Sequence, residues 1–246
     1  MKKLILAFLL ATVPMLGLAA GGGVHLDHVD IDLNDKESLQ RGFKYFANYC
    51  LSCHSAKYQR FERTADDLGL THDEVKENLM FVADKIGETM DIAMSPEDAL
   101  KYFGVAPPDL SVTTRSRGSD WVYTYLRSFY VDEAKPTGVN NTVFPDVGMP
   151  HVLWELQGVQ RAVFVDGKDE AGNPKKIFEK FEIVTPGSMN VEQYDAAMRD
   201  LVNFMTYVGE PARMQRESLG WKVMLFLFVL FVLSYLLKKE YWKDIH

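Results

Sequence analysis

Apolar positions recur at helical spacing in five stretches of the chain. Asn34 with Glu37 three residues on has the form of a capping box, and Leu39, Phe43, Phe46 and Cys50 then share one face, which predicts a helix ending at Cys50. Thr71 with Glu74 repeats the cap, and Val75, Leu79 and Val82 continue the stripe of a helix expected over 71–86. Ser95 with Asp98 predicts a short helix closing near Phe103-Gly104, and Ser119 or Asp120 can cap another that runs to Tyr130. Asn190 with Gln193 opens the last of the five, whose stripe of Val191, Tyr194, Met198, Leu201, Met205 and Val208 is stopped by Gly209-Glu210-Pro211. Period-two alternation appears only in Ala162–Val165 and Phe181–Val184, separated by Asp166-Gly167 and Gly172-Asn173-Pro174, so a small β-hairpin is expected between Gln160 and Val184. Two stretches have no period. Ala106-Pro107-Pro108-Asp109-Leu110-Ser111 is stiffened by its prolines, and residues 136–150 read as an irregular loop. The pattern is that of a mainly α protein with one hairpin.

Both ends lie outside that pattern. Met1-Lys2-Lys3 is a positive leader, Leu4 to Leu18 is apolar, and Leu18-Ala19-Ala20-Gly21 offers small residues for cleavage, so residues 1–20 read as a bacterial secretory signal peptide. Leu219 to Leu237 is apolar except at Gly220, Lys222 and Ser234, and at about 1.5 Å per residue it is about 28 Å long, close to the thickness of a bilayer core. It is expected to cross the membrane once, with Trp221, Tyr235, Tyr241 and Trp242 as interfacial aromatics. Lysines and arginines flank the span on both sides and do not orient it. The signal peptide does: it places residues 21–218 in the periplasm and leaves 238–246 in the cytoplasm, a single pass of the inner membrane.

Composition adds a sign. Residues 21–218 hold 32 acidic and 21 basic side chains, a net charge of −11. Such a surface disfavours nucleic acid and anionic lipid and suits a basic soluble partner.

The chemistry lies in Cys50-Leu51-Ser52-Cys53-His54, which holds the only two cysteines of 246 residues. C-x-x-C-H places two thiols on one turn to add to the two vinyl groups of a haem, while the next imidazole reaches the iron, so one covalent haem c is expected. A zinc site would need a second cysteine or histidine pair, and a thioredoxin-like site would need a βαβ context. His54 alone would leave the iron open to gases or peroxide; a second protein ligand closes it for electron transfer. Nine methionines follow the signal peptide, and Met198 and Met205 sit on a helical stripe that marks them as core. Met149, between Gly148 and Pro150 in an aperiodic loop, is the better candidate, with His151 as its rival. Arg115 and Arg117, between the proline loop and the next helix, could neutralise a haem propionate or could simply face solvent. His25, His28 and His72 read as surface residues.

The order of these features resembles the cytochrome c1 family of the proteobacterial branch. The resemblance is carried by Arg41-Gly42-Phe43 before the haem motif, Ala106–Ser111, Pro136-Thr137-Gly138, Gly148-Met149-Pro150 and Glu210-Pro211 ahead of a single C-terminal span, over most of residues 35–240. It implies a cytochrome c-type haem domain with Cys50 and Cys53 as thioethers and His54 and Met149 as axial ligands. It also implies Arg115 on a propionate and Pro108 packed beside the haem. The implied role is electron transfer from the Rieske iron–sulfur protein to a cytochrome c, next to cytochrome b in a dimeric ubiquinol–cytochrome c reductase (bc1) complex. Bond-making catalysis then belongs to the complex and not to this subunit. One departure stands out: Trp121 occupies the place where the family often carries a propionate-contacting tyrosine.

Overall fold

Two helices crossing at a glycine form the centre of the structure, a computed structural model that describes residues 25–168 and 173–245. The expected signal peptide lies outside the described residues. Helix α1 (Lys36–Tyr45) packs on α8 (Val191–Gly209), and a Cβ on Gly42 would lie 2.1 Å from the Asp200 carbonyl oxygen and 2.6 Å from Phe204 Cβ. Only a residue without a Cβ permits that approach. The crossing is filled by Phe43 stacked on Phe204 at 5.1 Å and by Phe46 tilted against the same ring at 5.5 Å. All three rings are fully buried, each worth about 1.5–3 kcal/mol in apolar burial. Polar groups set the rotation: buried Asp200 accepts from Ser38 Oγ (2.7 Å) and Arg41 Nε (2.6 Å), and Asn203 Nδ2 donates to Ser38 Oγ (3.0 Å) and to the Asp32 carbonyl (2.8 Å). The Arg41-Gly42-Phe43 triplet therefore supplies an ion pair, a contact point and a ring to one crossing.

Around this pair the chain lays down β1 (Ala56–Arg60), α2 (Phe61–Leu68), α3 (His72–Asn78), β2 (Thr89–Met90) and α4 (Pro96–Phe103), with β1 and β2 antiparallel. Next come α5 (Thr113–Arg117), α6 (Ser119–Arg127), β3 (Phe129–Val131), β4 (Val139–Asn141) and α7 (Trp154–Gln157), with β3 and β4 antiparallel. Strands β5 (Gly158–Lys168) and β6 (Pro174–Pro186) form an antiparallel ribbon, and α8 is followed by α9 (Arg213–Tyr241) and a 3-10 turn, Lys243–Ile245. Among the described residues α9 is the one helix long and apolar enough to cross a membrane, and none of its apolar window is buried.

Capping decided several boundaries. Thr71, Ser95 and Asn190 cap α3, α4 and α8 as expected, with reciprocal bonds to Glu74 and Gln193 at the first and last. Asn34 does not cap α1. The cap is Asp35, whose carboxylate accepts from Ser38 N at 2.9 Å, because Asn34 is drawn back to Asp32. Gly118, at φ 91°, precedes α6 in place of a Ser119 or Asp120 cap, and Asp120 instead accepts from Val29 N (2.9 Å) on the N-terminal segment. Helix α6 stops at Arg127, short of Tyr130, where Ser128 Oγ donates back to the Thr124 carbonyl and Phe129 enters β3. Helix α3 stops at Asn78, short of 86, yet Leu79, Val82 and Ile86 still pack on the core, so that stripe marks burial in a turn-rich segment. The 136–150 loop includes β4, and the hairpin is longer than its expected span from Gln160 to Val184.

Candidate haem centre

The haem motif is delivered by a change of helical pitch. Helix α1 gives way to a single π turn, Phe46–Cys50, closed by Leu51 N donating to the Phe46 carbonyl at 3.0 Å. The wider turn carries Cys50 into the core, and Cys53 N (3.1 Å) and His54 N (2.8 Å) both donate to the Cys50 carbonyl. Both thiols are free. Burial, with Cys53 adding to it, pushes the Cys50 thiol up to about 12, so it stays protonated and apolar at neutral pH.

The proline loop is stitched to the segment after the motif. Leu110 N donates to the Ser55 carbonyl (2.7 Å), Asp109 Oδ2 accepts from Lys57 N (2.9 Å) and Ser111 Oγ from Tyr58 N (3.2 Å). His54 Nδ1 lies 2.8 Å from the Pro108 carbonyl oxygen. A carbonyl only accepts, so Nδ1 carries the proton and Nε2 keeps its lone pair for a metal. Burial lowers the imidazole's pKa against the opposing pull of that carbonyl, which favours the same neutral form.

Met149 is held by its own loop and by Tyr125 on α6. Two buried asparagines on β4 clamp its loop. Asn141 Oδ1 accepts from Val143 N (2.9 Å) and Phe144 N (3.1 Å), while Asn140 Oδ1 accepts from Asp146 N (2.8 Å), and Asp146 sits at φ 61°. Asn141 Nδ2 donates to the Tyr125 carbonyl (2.8 Å), and the Tyr125 hydroxyl donates to Met149 Sδ (3.3 Å). The loop also meets the proline segment: a Cβ on Gly148 would come within 2.9 Å of Val105 Cγ1. Val105 and Pro108 are three residues apart, so one short stretch touches both the Met149 loop and the His54 ring.

His151 faces elsewhere. Its ring stacks on Phe129 (5.0 Å, 6°) and lines a pocket of about 330 Å³ with Tyr130, Val139, Trp154 and Gln160, to which neither the haem motif nor the proline loop contributes. Its Nε2 is buried without a partner, and burial lowers its pKa to about 4. Arg115 is exposed on α5, its Nη1 3.5 Å from the Gly209 carbonyl at the end of α8, while Thr114 Oγ1 ties α5 to the Met205 carbonyl at 3.1 Å. Arg117 lies over the Trp121 ring at 5.1 Å. Pro108 is exposed, and Met198 and Met205 are core residues as expected. Met90 is buried on β2. His25 is exposed; His28 pairs with Asp120 (3.2 Å) and His72 bonds Asp66 (2.9 Å).

Two free thiols three residues apart, an imidazole with its Nε2 lone pair free and a thioether in a clamped loop fit a covalently attached haem. Among the described residues no cluster of histidines, cysteines and carboxylates offers an alternative metal site. The sequence matches the Cytochrome C1 family over residues 30–245. The chain belongs to the cytochrome c1 family. It is 52% identical over 246 residues, the full length of both chains, to cytochrome c1 of Allochromatium vinosum. It is 48% identical over 245 residues to a Nitrosomonas europaea protein named ammonia monooxygenase gamma subunit, covering all of this chain and 98% of that one. It is 27% identical over 248 residues to cytochrome b/c1 of Bradyrhizobium diazoefficiens, covering 86% of this chain and 34% of that one. As a cytochrome c1 it carries one covalent haem c and is the membrane-anchored haem subunit of the bc1 complex, an electron-transfer protein and not an enzyme by itself.

The residues that sequence reasoning missed are Tyr125, Asn140 and Asn141. Tyr125 lies within the helix expected to run to Tyr130, and Asn140 and Asn141 lie within the loop expected over 136–150, with no local signal that marks any of the three. Their roles depend on partners brought in by the fold.

Proposed function

We propose that Cys50 and Cys53 hold the haem as thioethers, that His54 and Met149 are its axial ligands, that Arg115 pairs with a propionate and that Pro108 packs beside the ring. The observation that carries this reading is the Pro108 carbonyl on His54 Nδ1, in the same loop whose Val105 meets Gly148. The haem supplies a single-electron couple, and a thioether ligand raises its potential. The protein's part is to hold the imidazole tautomer, present the sulfur from a rigid loop and keep both closed to outside ligands. His151 is not the ligand in this reading, because its neighbours are those of the β3–β4–β5 pocket.

In the complex the electron comes from the Rieske iron–sulfur protein and leaves to a cytochrome c, with cytochrome b beside α9 and a second copy in a dimeric assembly. The haem domain faces the periplasm after removal of the signal peptide of residues 1–20, and 238–246 lie in the cytoplasm. The β5–β6 ribbon is an insertion in the haem domain that faces a partner: Gln160 Nε2 fixes its base to the carbonyls of Arg127 and Phe129, and much of its apolar surface is exposed.

Met149→Leu tests the ligand set. The variant should keep covalent haem, lose much of its reduction potential and bind carbon monoxide when reduced, whereas wild type stays closed. An unchanged potential would sink the assignment. The complex is tested by gentle extraction from membranes: cytochrome b and an iron–sulfur subunit should accompany the chain. Recovery with an ammonia monooxygenase, which the name of the Nitrosomonas relative makes worth checking, would overturn that partnership.

A further inference from the structure

We infer that Tyr125 is a positioning residue for electron transfer, whose hydroxyl fixes the Met149 sulfur and, by drawing on one of its lone pairs, holds the reduction potential up. The inference rests on Met149 as an axial ligand. A thioether sulfur carries two lone pairs and is a weak acceptor, so one pair can take the hydroxyl proton while the other faces the iron.

The tyrosine is oriented by two aromatic rings and a backbone hydrogen bond. Its ring stacks on Trp121, one turn earlier on α6, at 5.1 Å and 9°, and meets the edge of Phe129 at 5.1 Å and 71°. Phe144, from the Met149 loop, meets Trp121 at 6.4 Å and 76°. Asn141 holds the Tyr125 carbonyl with the same side chain whose oxygen clamps Val143 and Phe144. The backbone of Tyr125 and the loop bearing Met149 are thus tied through one amide, and the hydroxyl-to-sulfur contact is fixed by rigid supports at both ends.

A phenol hydroxyl carries its proton at neutral pH and has one hydrogen to donate, and here that hydrogen is directed at the Met149 sulfur. A donor on the sulfur reduces the electron density the thioether can give to iron. That disfavours the ferric state more than the ferrous state, which raises the potential. Trp121 completes the device. By stacking on Tyr125 it limits rotation of the phenol, and the Arg117 guanidinium over its own ring at 5.1 Å holds it in turn.

The test uses the full chain, extracted from membranes with its haem attached, and compares Tyr125→Phe with Tyr123→Phe, the same change two residues away on α6. Tyr123 is buried against the Arg127 guanidinium and makes no bond to Met149. Tyr125→Phe should keep covalent haem, shift the reduction potential downward, and let imidazole displace the sulfur from ferric haem several-fold faster. Tyr123→Phe should leave both unchanged. A wild-type potential and displacement rate in Tyr125→Phe would overturn the inference, as would equal shifts in the two variants. Wild type should also show the weak long-wavelength absorption of methionine sulfur on ferric haem. Its absence would overturn the ligand assignment and this inference together, whereas its presence beside an unshifted Tyr125→Phe would overturn this inference alone.

Discussion

Gly42→Ala measures how tightly the two central helices must approach. The added methyl would sit 2.1 Å from the Asp200 carbonyl oxygen and 2.6 Å from Phe204 Cβ, against about 3.5–4.0 Å for relaxed contact between carbon atoms. Neither neighbour is the free end of a flexible side chain, so α1 and α8 must part by more than 1 Å or so. Overpacking of a well-filled core costs about 1–3 kcal/mol, and contact with backbone puts this site at the upper end. Alanine in place of glycine inside a helix returns about 1 kcal/mol, which leaves a net loss of about 2 kcal/mol. For a chain of this size that is about 4–8 °C in Tm. The control is Gly220→Ala in α9, where an added Cβ meets nothing within 4 Å and only the helix preference remains. The assay is thermal unfolding of the detergent-extracted protein, followed through the haem absorption and helical circular dichroism, with covalent haem yield scored alongside. Because α1 leads into the π turn bearing Cys50, Gly42→Ala should also lower that yield. A Gly42→Ala protein as stable and as fully loaded as wild type would refute the reasoning.

Two further outcomes follow from charge. With −11 on residues 21–218, oxidation by a basic cytochrome c should slow as ionic strength rises past about 0.1 M, where the screening length is about 10 Å; a flat response in stopped-flow kinetics would reduce the charge to a solubility feature. His28 is held above its ordinary pKa by its bond to Asp120 and by that carboxylate's charge, so its contribution is complete below about 6.5 and is lost as pH rises through the raised value. Proton resonance titration of His28 should show that raised value in wild type and a fall toward the ordinary one in Asp120→Asn; the same midpoint in both would place the cause elsewhere.

The caps at Thr71, Ser95 and Asn190 were legible because their determinants are local. Thr71 and Glu74, or Asn190 and Gln193, stand three residues apart and meet in any helix that starts there. The haem motif was legible for the same reason, since Cys50, Cys53 and His54 share one turn. The proline loop's stiffness could be read, but not that the carbonyl of Pro108 would set the tautomer of a histidine 54 residues away. Asn34 failed as a cap because Asp32 competes for it, a choice between two polar neighbours that spacing does not rank. The helix expected to 86 failed differently: Leu79, Val82 and Ile86 are spaced like a stripe because a turn-rich segment buries them on the same core.

The two proposed axial ligands rest on separate supports, and this follows from where their bonds go. His54 depends on α1, the π turn and the proline loop, and thus on the crossing of α1 with α8 at Gly42. Met149 depends on β4 and α6, through Asn140, Asn141 and Tyr125. The contact between Val105 and Gly148 is where the two supports meet. A protein of this family needs its haem attached once and its potential held at every turnover, and with the proposed ligands those demands fall on different sets of residues. In the proposed reading attachment rests on the close-packed pair of α1 and α8. In the same reading the potential rests on a hydroxyl, two amides and an aromatic stack, each of them a single bond or contact that one substitution removes.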